Sequence, residues 1–274
     1  DEMRVAAKAE GKRVFYDRRW RDRSEDEAPE GVPGVVRIKM PIAGETTIHD
    51  LVQGDVTVVH EQLDDFILLR ADGSPTYMLS VVVDDYDAGV THVIRGDDHL
   101  NNAFRQYHLY RAAGWAHPEY AHIPLIHGAD GQKLSKRHGA TSVQEYRDVG
   151  FLPEALRNYL LRLGWSHGDD EVVDTAKAIE LFDLENVGRS PSRFDPAKLE
   201  NLNAHYLRET DAKQITSAIV ERLNASQSVS VDATGEKRIE AAVPHIVQRA
   251  KTLVDLSASA LFLVVAPTFP LTEA

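Results

Sequence analysis

Three cations fall within five residues in the stretch Gly128-Ala129-Asp130-Gly131-Gln132-Lys133-Leu134-Ser135-Lys136-Arg137-His138-Gly139, and glycines bracket them. Flexible lysine side chains beside exposed backbone amides suit a polyphosphate whose charge grows on a leaving pyrophosphate, where stabilisation is electrostatic. A bare Lys-x-x-Lys-Arg run is equally the solvated loop of an acidic protein. The position directly after the apolar run His122-Ile123-Pro124-Leu125-Ile126 favours a binding loop. His127 and His138 flank it, and the twelve histidines show no His-x-x-x-His metal spacing.

The elements that position this loop are read from periodicity. Residues 76–87 and 98–113 carry helical patterns, with Leu100, Ala103, Phe104 and Tyr107 on one face and Gly114 ending the second run. Between them Thr91 to Arg95 reads as a strand, and His122 to Ile126 as the next. Strand, helix, strand with short links predicts a parallel α/β layer, whose ligands bind beyond the carboxyl ends of the strands. Arg95 and the loop from His127 to Gly139 both fall at such ends and are expected to face one site.

Upstream, Val35-Val36-Arg37-Ile38-Lys39-Met40, Val56-Thr57-Val58-Val59 and Phe66-Ile67-Leu68-Leu69 predict a small antiparallel β element. Arg13 to Glu30 is dense in both charges and reads as an exposed connection outside any core. Beyond residue 141 the chain turns mainly helical, with Leu152, Ala155, Leu156, Tyr159, Leu160 and Leu163 on one face and Pro153 in a first turn. Further helices are expected at 174–183, 211–224 and 236–256. The final residues read as a domain interrupted soon after it begins.

Composition excludes several classes. The 274 residues hold 31 Lys+Arg against 43 Asp+Glu, a formal charge of −12, which argues against a general nucleic-acid coat. Hydrophobic residues at 43% and charged residues at 27% exclude wholesale disorder. With no Cys there is neither disulfide nor thiolate metal site, which fits a reducing compartment. The longest apolar run, Ala260 to Ala266, is far short of the roughly 20 residues a membrane span needs, and Asp1-Glu2 opens no signal peptide. A cytoplasmic protein with no membrane partner is expected.

Lys133-Leu134-Ser135-Lys136-Arg137 resembles the Lys-Met-Ser-Lys-Ser signature of class I aminoacyl-tRNA synthetases, and its surroundings resemble the bacterial glutamyl-tRNA synthetases. Blocks similar to that family occur in the family's order: Asp72-Gly73-Ser74-Pro75-Thr76-Tyr77, Val82-Val83-Asp84-Asp85, Gly89 to His99, Gly150 to Leu156, Arg162-Leu163-Gly164-Trp165, Phe194 to Leu199, and Leu202-Asn203. The resemblance covers nearly the whole chain. It implies that Lys136 holds the ATP phosphates while a glutamyl-adenylate forms, with Lys133 and Ser135 supporting the loop. It implies an adenine contact from the backbone of Leu125 and Ile126, and glutamate binding by Tyr77 and Arg95. A guanidinium at Arg95 suits a bidentate side-chain carboxylate and so favours glutamate over glutamine. Tyr77 is equally readable as a packing aromatic. Asp97 and Asp98 read as helix caps or substrate contacts, and Asp84-Asp85 is given no role. Arg189, Arg193 and Lys198 cluster in the family's tRNA stem-contact region, where they meet RNA phosphates or simply face solvent.

The resemblance therefore implies a fold that is α/β plus all-α: the second half of a class I synthetase Rossmann-type fold, with part of an inserted α+β domain, followed by helical tRNA-binding domains. The expected divisions are 1–74 for the inserted acceptor-binding part, 75–127 for the half-Rossmann fold, 128–209 for the loop and stem-contact region, and 210–274 for the start of an anticodon-binding domain. The implied activity is glutamate–tRNA ligation, with ATP, Mg²⁺, glutamate and the tRNA for glutamate as substrates and partners. Two departures stand out. No His-x-Gly-His element occurs, so the chain reads as starting inside the inserted domain and lacking half its active site. Where zinc-binding relatives place a Cys-x-His pair, this chain has Trp20 and Asp22, so no zinc or other resident metal is expected. Two rivals remain: a non-catalytic tRNA-binding module, and the shortened relative that glutamylates a modified tRNA base.

Overall fold

The computed structural model describes residues 16–135, 142–226 and 229–265, together with Val5 and Ala9. The chain divides into two compact units, Asp1–Ile123 and Pro124–Ala274.

The first unit runs β1 (Val36–Arg37), β2 (Glu45–Asp50), β3 (Gly54–Val59), β4 (Ile67–Leu69), α1 (Tyr77–Asp87), β5 (His92–Gly96), α2 (Leu100–Ala113) and β6 (Glu119–Ile123). Its main sheet has the order β3-β2-β6-β5. The β5-α2-β6 crossover is parallel, with Arg95 opposite His122 and Gly96 opposite Ile123. That is the layer the alternating pattern predicts. α1 starts after a turn in which Asp72 Oδ1 accepts the Ser74 N–H at 2.9 Å. α2 stops at Gly114, whose φ of 72° is left-handed and suits a residue without a Cβ. Met40, Val82, Phe104 and Tyr120 form the centre of the apolar core.

The β element is antiparallel, as expected, in both β1-β4 and β2-β3, and the hairpin β2-β3 also joins the parallel layer where Asp50 pairs with Tyr120. Three expectations change here. β2 itself, Glu45-Thr-Thr-Ile-His-Asp, was not expected, having one aliphatic residue; its buried face is Thr46, Ile48 and Asp50. The charged connection is anchored after all. Arg21 donates to the Asp65 carboxylate and to the Met40 carbonyl at 2.8 Å, and Arg18 donates to the Leu63 carbonyl at 3.0 Å. Finally, the strand expected at 122–126 starts earlier, at Glu119, and stops at Ile123. Pro124 has no N–H for a ladder.

The second unit contains β7 (Ile126–His127), α3 (Val143–Val149), α4 (Pro153–Gly164), α5 (Thr175–Leu181), β8 (Ser192–Arg193), α6 (Pro196–Glu209), α7 (Ala212–Ala225), α8 (Ala233–Ile246) and α9 (Leu253–Ala260). Side-chain caps set the helix starts: Asp174, Asp195, Asp211 and Asp232 accept from the first-turn N–H groups, and Ser142 with Glu145 and Thr252 with Asp255 form capping boxes. Pro153 occupies the first turn of α4, as expected. The single helix expected over 236–256 is two. Pro244 sits near the end of α8, a 3₁₀ turn covers Val247–Arg249, and Thr252 starts α9 afresh.

Leu156, Tyr159, Phe194 and Leu199 pack one small core, and Ile215, Ile219, Ile239, Val243 and Leu256 pack a larger one. Buried Asn203 of α6 ties the segments together: its Oδ1 accepts the Leu152 N–H at 2.8 Å and its Nδ2 donates to the Lys251 carbonyl at 2.6 Å. Among the described residues no helix is long and apolar enough to cross a membrane.

Candidate active site

In the first unit the most elaborate polar arrangement surrounds Arg95, near the carboxyl end of β5. Its Nε donates to His122 Nε2 at 3.2 Å, and its Nη2 donates to Gln106 Oε1 at 2.8 Å and to the His99 carbonyl at 3.5 Å. Nη1 has no partner among the described residues. The guanidinium carbon lies 6.0 Å from the centre of the Tyr120 ring. A bidentate grip through the Nε edge is therefore taken by the protein, and Nη1 is the nitrogen left for a ligand.

The same cluster holds unspent donors. Tyr110 and Tyr120 hydroxyls and the Gln106 Nε2 are buried without a hydrogen-bond partner among the described residues. Burial pushes the Tyr110 hydroxyl up to about 12 and the Tyr120 hydroxyl higher still, so both remain O–H donors at neutral pH. Burial also raises the Asp85 carboxyl, against the pull of Arg95. Asp85, given no role by the sequence, thus belongs to the surroundings of Arg95.

Tyr77 opens α1 and is 48% exposed, with its ring 6.2 Å from that of His99. The ring thus lies toward His99, whose backbone carbonyl accepts from Arg95 Nη2 at 3.5 Å. Asp97 and Asp98 lie in the 3₁₀ turn Asp97–His99 that leads into α2, which places both carboxylates at the positive end of that helix.

In the second unit, Ile126 and His127 of β7 pair in parallel with Ser192 and Arg193. The chain then turns back: Gly128 N–H donates to the Gln132 carbonyl at 2.8 Å, and Leu134 N–H to the Ile126 carbonyl at 2.9 Å. Gly131 takes a φ of 75° in this tight turn. The result presents Lys133 on the surface opposite His127, with Ser135 half-buried next to Leu134. Leu125 lies in the irregular link before β7, and the Ile126 carbonyl is already engaged by Leu134. Lys136, Arg137 and His138 lie outside the described residues.

Arg193 and Lys198 line a cavity of about 590 Å³ together with Arg162, Asn201 and His205. Arg162 Nη1 is buried there without a partner among the described residues. Arg189 is exposed and does not line it. Among the described residues no group of three or more His, Asp or Glu side chains is placed to hold a metal ion.

Sequence reasoning missed His122, Gln106 and Asp50, the residues that hold Arg95. The reason lies in β2: only once that strand is seen do Thr46, Ile48 and Asp50 share a buried face, and a carboxylate on the core face of a strand requires a partner.

Residues 1–201 match the sequence profile of the class I tRNA synthetases (E and Q), catalytic domain. The chain is 60% identical over 262 residues to glutamate–tRNA ligase 2 of Paramagnetospirillum magneticum, covering 96% of this chain and 55% of that protein. It is 61% identical over 262 residues to glutamate–tRNA ligase 2 of Rhodospirillum rubrum, covering 96% and 56% respectively. The chain thus spans about half the length of the curated relatives it matches. Among solved structures, a glutamate tRNA ligase from Elizabethkingia meningosepticum in complex with its amino acid superposes with a TM-score of 0.82 at 31% identity, over 98% of this chain and 59% of that one.

Proposed function

The chain belongs to the class I tRNA synthetases of the E and Q group, and from that premise we propose that it forms part of a glutamate–tRNA ligase acting in the cytoplasm. The observation that carries this reading is the Arg95 guanidinium, held by His122 and Gln106 with Nη1 left over. A fixed cation matches the side-chain carboxylate of glutamate and leaves the neutral amide of glutamine without a counter-charge. Tyr77, exposed beside His99, is the second amino-acid contact.

In the proposed reaction the α-carboxylate of glutamate attacks the α-phosphorus of ATP and pyrophosphate leaves; a hydroxyl of the terminal ribose of the tRNA for glutamate then attacks the carbonyl carbon of the adenylate, and AMP leaves. Lys136 neutralises the charge developing on the pyrophosphate, and Lys133 and Ser135 support that loop. The backbone at Leu125 and Ile126 meets the adenine. Mg²⁺ accompanies ATP as part of the substrate. Arg162, Arg193, Lys198 and His205, lining one cavity, contact tRNA phosphates.

The test is glutamate-dependent exchange of labelled pyrophosphate into ATP by the full-length gene product. Lys136→Ala is expected to cut the rate by about 10²-fold or more, with an unchanged melting temperature. Arg95→Gln is expected to raise the glutamate KM strongly and leave the ATP KM alone. Unchanged kinetics in both variants overturns the assignment.

A further inference from the structure

Arg95 is the end of a chain of buried polar groups crossing three strands. Asp50, at the end of β2, is 1% exposed, and His122 of β6 is fully buried. Asp50 Oδ1 accepts the backbone N–H groups of Val52 at 3.0 Å, Gln53 at 2.8 Å and His122 at 3.0 Å. Its Oδ2 faces His122 Nδ1 at 2.6 Å. Burial pushes this carboxyl up, but the hydrogen bonds from Gln53 and His122 outweigh it and hold the group below the usual carboxylate range. Asp50 is therefore an ionised acceptor, and the proton between the two residues sits on Nδ1. On the other side of the ring, Nε2 faces Arg95 Nε. A guanidinium only donates, so Nε2 must present its lone pair. The two contacts together admit one form of the ring, the neutral Nδ1–H tautomer.

We propose that Asp50 and His122 are positioning residues for the amino-acid site: Asp50 sets the tautomer of His122, and the Nε2 lone pair then turns the Arg95 guanidinium so that Nη1 meets the substrate's side-chain carboxylate. The inference rests on the reading of Arg95 as the glutamate contact. Gln106 Oε1 on α2 fixes the other arm of the fork at 2.8 Å. The remaining titratable groups around the pair are Asp97 near His122, and Asp85, Tyr110 and Tyr120 near Arg95. The two oxygens of Asp50 divide most of the work: Oδ1 closes the hairpin turn, Oδ2 receives the imidazole proton, and both accept the His122 backbone N–H, at 3.0 and 3.1 Å.

Asp50→Asn separates those tasks experimentally. The amide oxygen keeps the turn, and the amide nitrogen donates to Nδ1, which forces the proton onto Nε2 and sets donor against donor at Arg95. Nitrogen-15 spectra of the imidazoles are expected to show Nδ1–H for His122 in the native protein and Nε2–H in Asp50→Asn. In the full-length protein the glutamate KM is expected to rise about tenfold or more, with the ATP KM and the melting temperature little changed. His122→Gln, whose amide oxygen restores an acceptor toward Arg95, is expected to keep a lower glutamate KM than His122→Ala. A native Nε2–H tautomer, an Asp50→Asn ring that stays Nδ1–H, or an inverted tautomer with unchanged glutamate KM each overturns the proposal. Arg95→Gln is the control: if it alone leaves the glutamate KM unmoved, the reading of Arg95 falls and this inference falls with it. If Arg95→Gln raises the KM and Asp50→Asn does not, only the inference falls.

Discussion

The Thr46 hydroxyl lies 2.9 Å from His108 Nε2 and also 2.7 Å from His60 Nε2, so one oxygen joins two buried imidazoles across β2 and α2. His60 Nδ1 donates to the Ala43 carbonyl at 2.7 Å, which leaves its Nε2 to accept from Thr46 and the Thr46 oxygen to accept from His108.

His108 donates to Thr46 in either charge state, so the hydrogen bond does not decide its protonation; burial does, and helped by nearby His60 it lowers the pKa from 6.5 to about 4. The unfolded chain binds this proton first as pH falls, so stability from this group is full above pH 6.5 and lost as pH drops toward 4. The loss amounts to about 3 kcal/mol. Urea unfolding at a series of pH values should show a steeper decline in native protein than in His108→Gln between pH 6.5 and 4. Equal slopes would mean that His108 is not the group responsible.

Asp65 is 2% exposed and accepts from Arg21 and from the Met40 N–H at 2.9 Å. Breaking the pair from either end strands a buried charge. Asp65→Ala and Arg21→Ala are each expected to cost about 3–5 kcal/mol, and the double variant clearly less than their sum. Chemical denaturation of the four proteins measures the coupling, and strict additivity would contradict the pairing.

Gly150 ends α3 with a φ of 98°, and a Cβ built there would stand 2.8 Å from the backbone nitrogens of Leu253 and Val254. Its carbonyl also accepts the Leu253 N–H at 2.9 Å. Gly150→Ala combines left-handed strain with a backbone clash, an expected loss of about 2–4 kcal/mol. Gly131→Ala has the left-handed strain, at a φ of 75°, but nothing within 4 Å of the added carbon. It should lose about 1–2 kcal/mol, and a melting series on the two variants separates strain from clash.

Periodic segments were legible from sequence because packing and pattern agree in them. The boundaries of α1, β5, α2 and α4 follow from apolar spacing, Gly114 and Pro153. β2 was not legible, since two of its three core-facing residues, Thr46 and Asp50, are polar and are buried only by partners elsewhere in the chain. The break between α8 and α9 was hidden because Ile239, Val243, Val247 and Ala250 keep a near-helical spacing across it. For the site, the resemblance of the surrounding blocks, more than charge alone, pointed to Arg95, Lys133 and Lys136. Nothing local marks His122 as an acceptor for Arg95, because that role depends on a carboxylate 72 residues earlier in the chain.

Hairpin tips commonly accept extra residues and drift in length. The tip between Asp50 and Gly54 has no such freedom. Leu51 N–H ends on the Tyr120 carbonyl, the Gln53 amide on the His122 carbonyl, and the Val52 and Gln53 N–H groups on the carboxylate that faces the imidazole. One residue inserted between Leu51 and Gln53 withdraws those donors and turns Asp50 away from β6. Loop length here is inherited together with the orientation of Arg95, so insertions and deletions at this surface turn should be as rare among functional relatives as changes within the pocket itself.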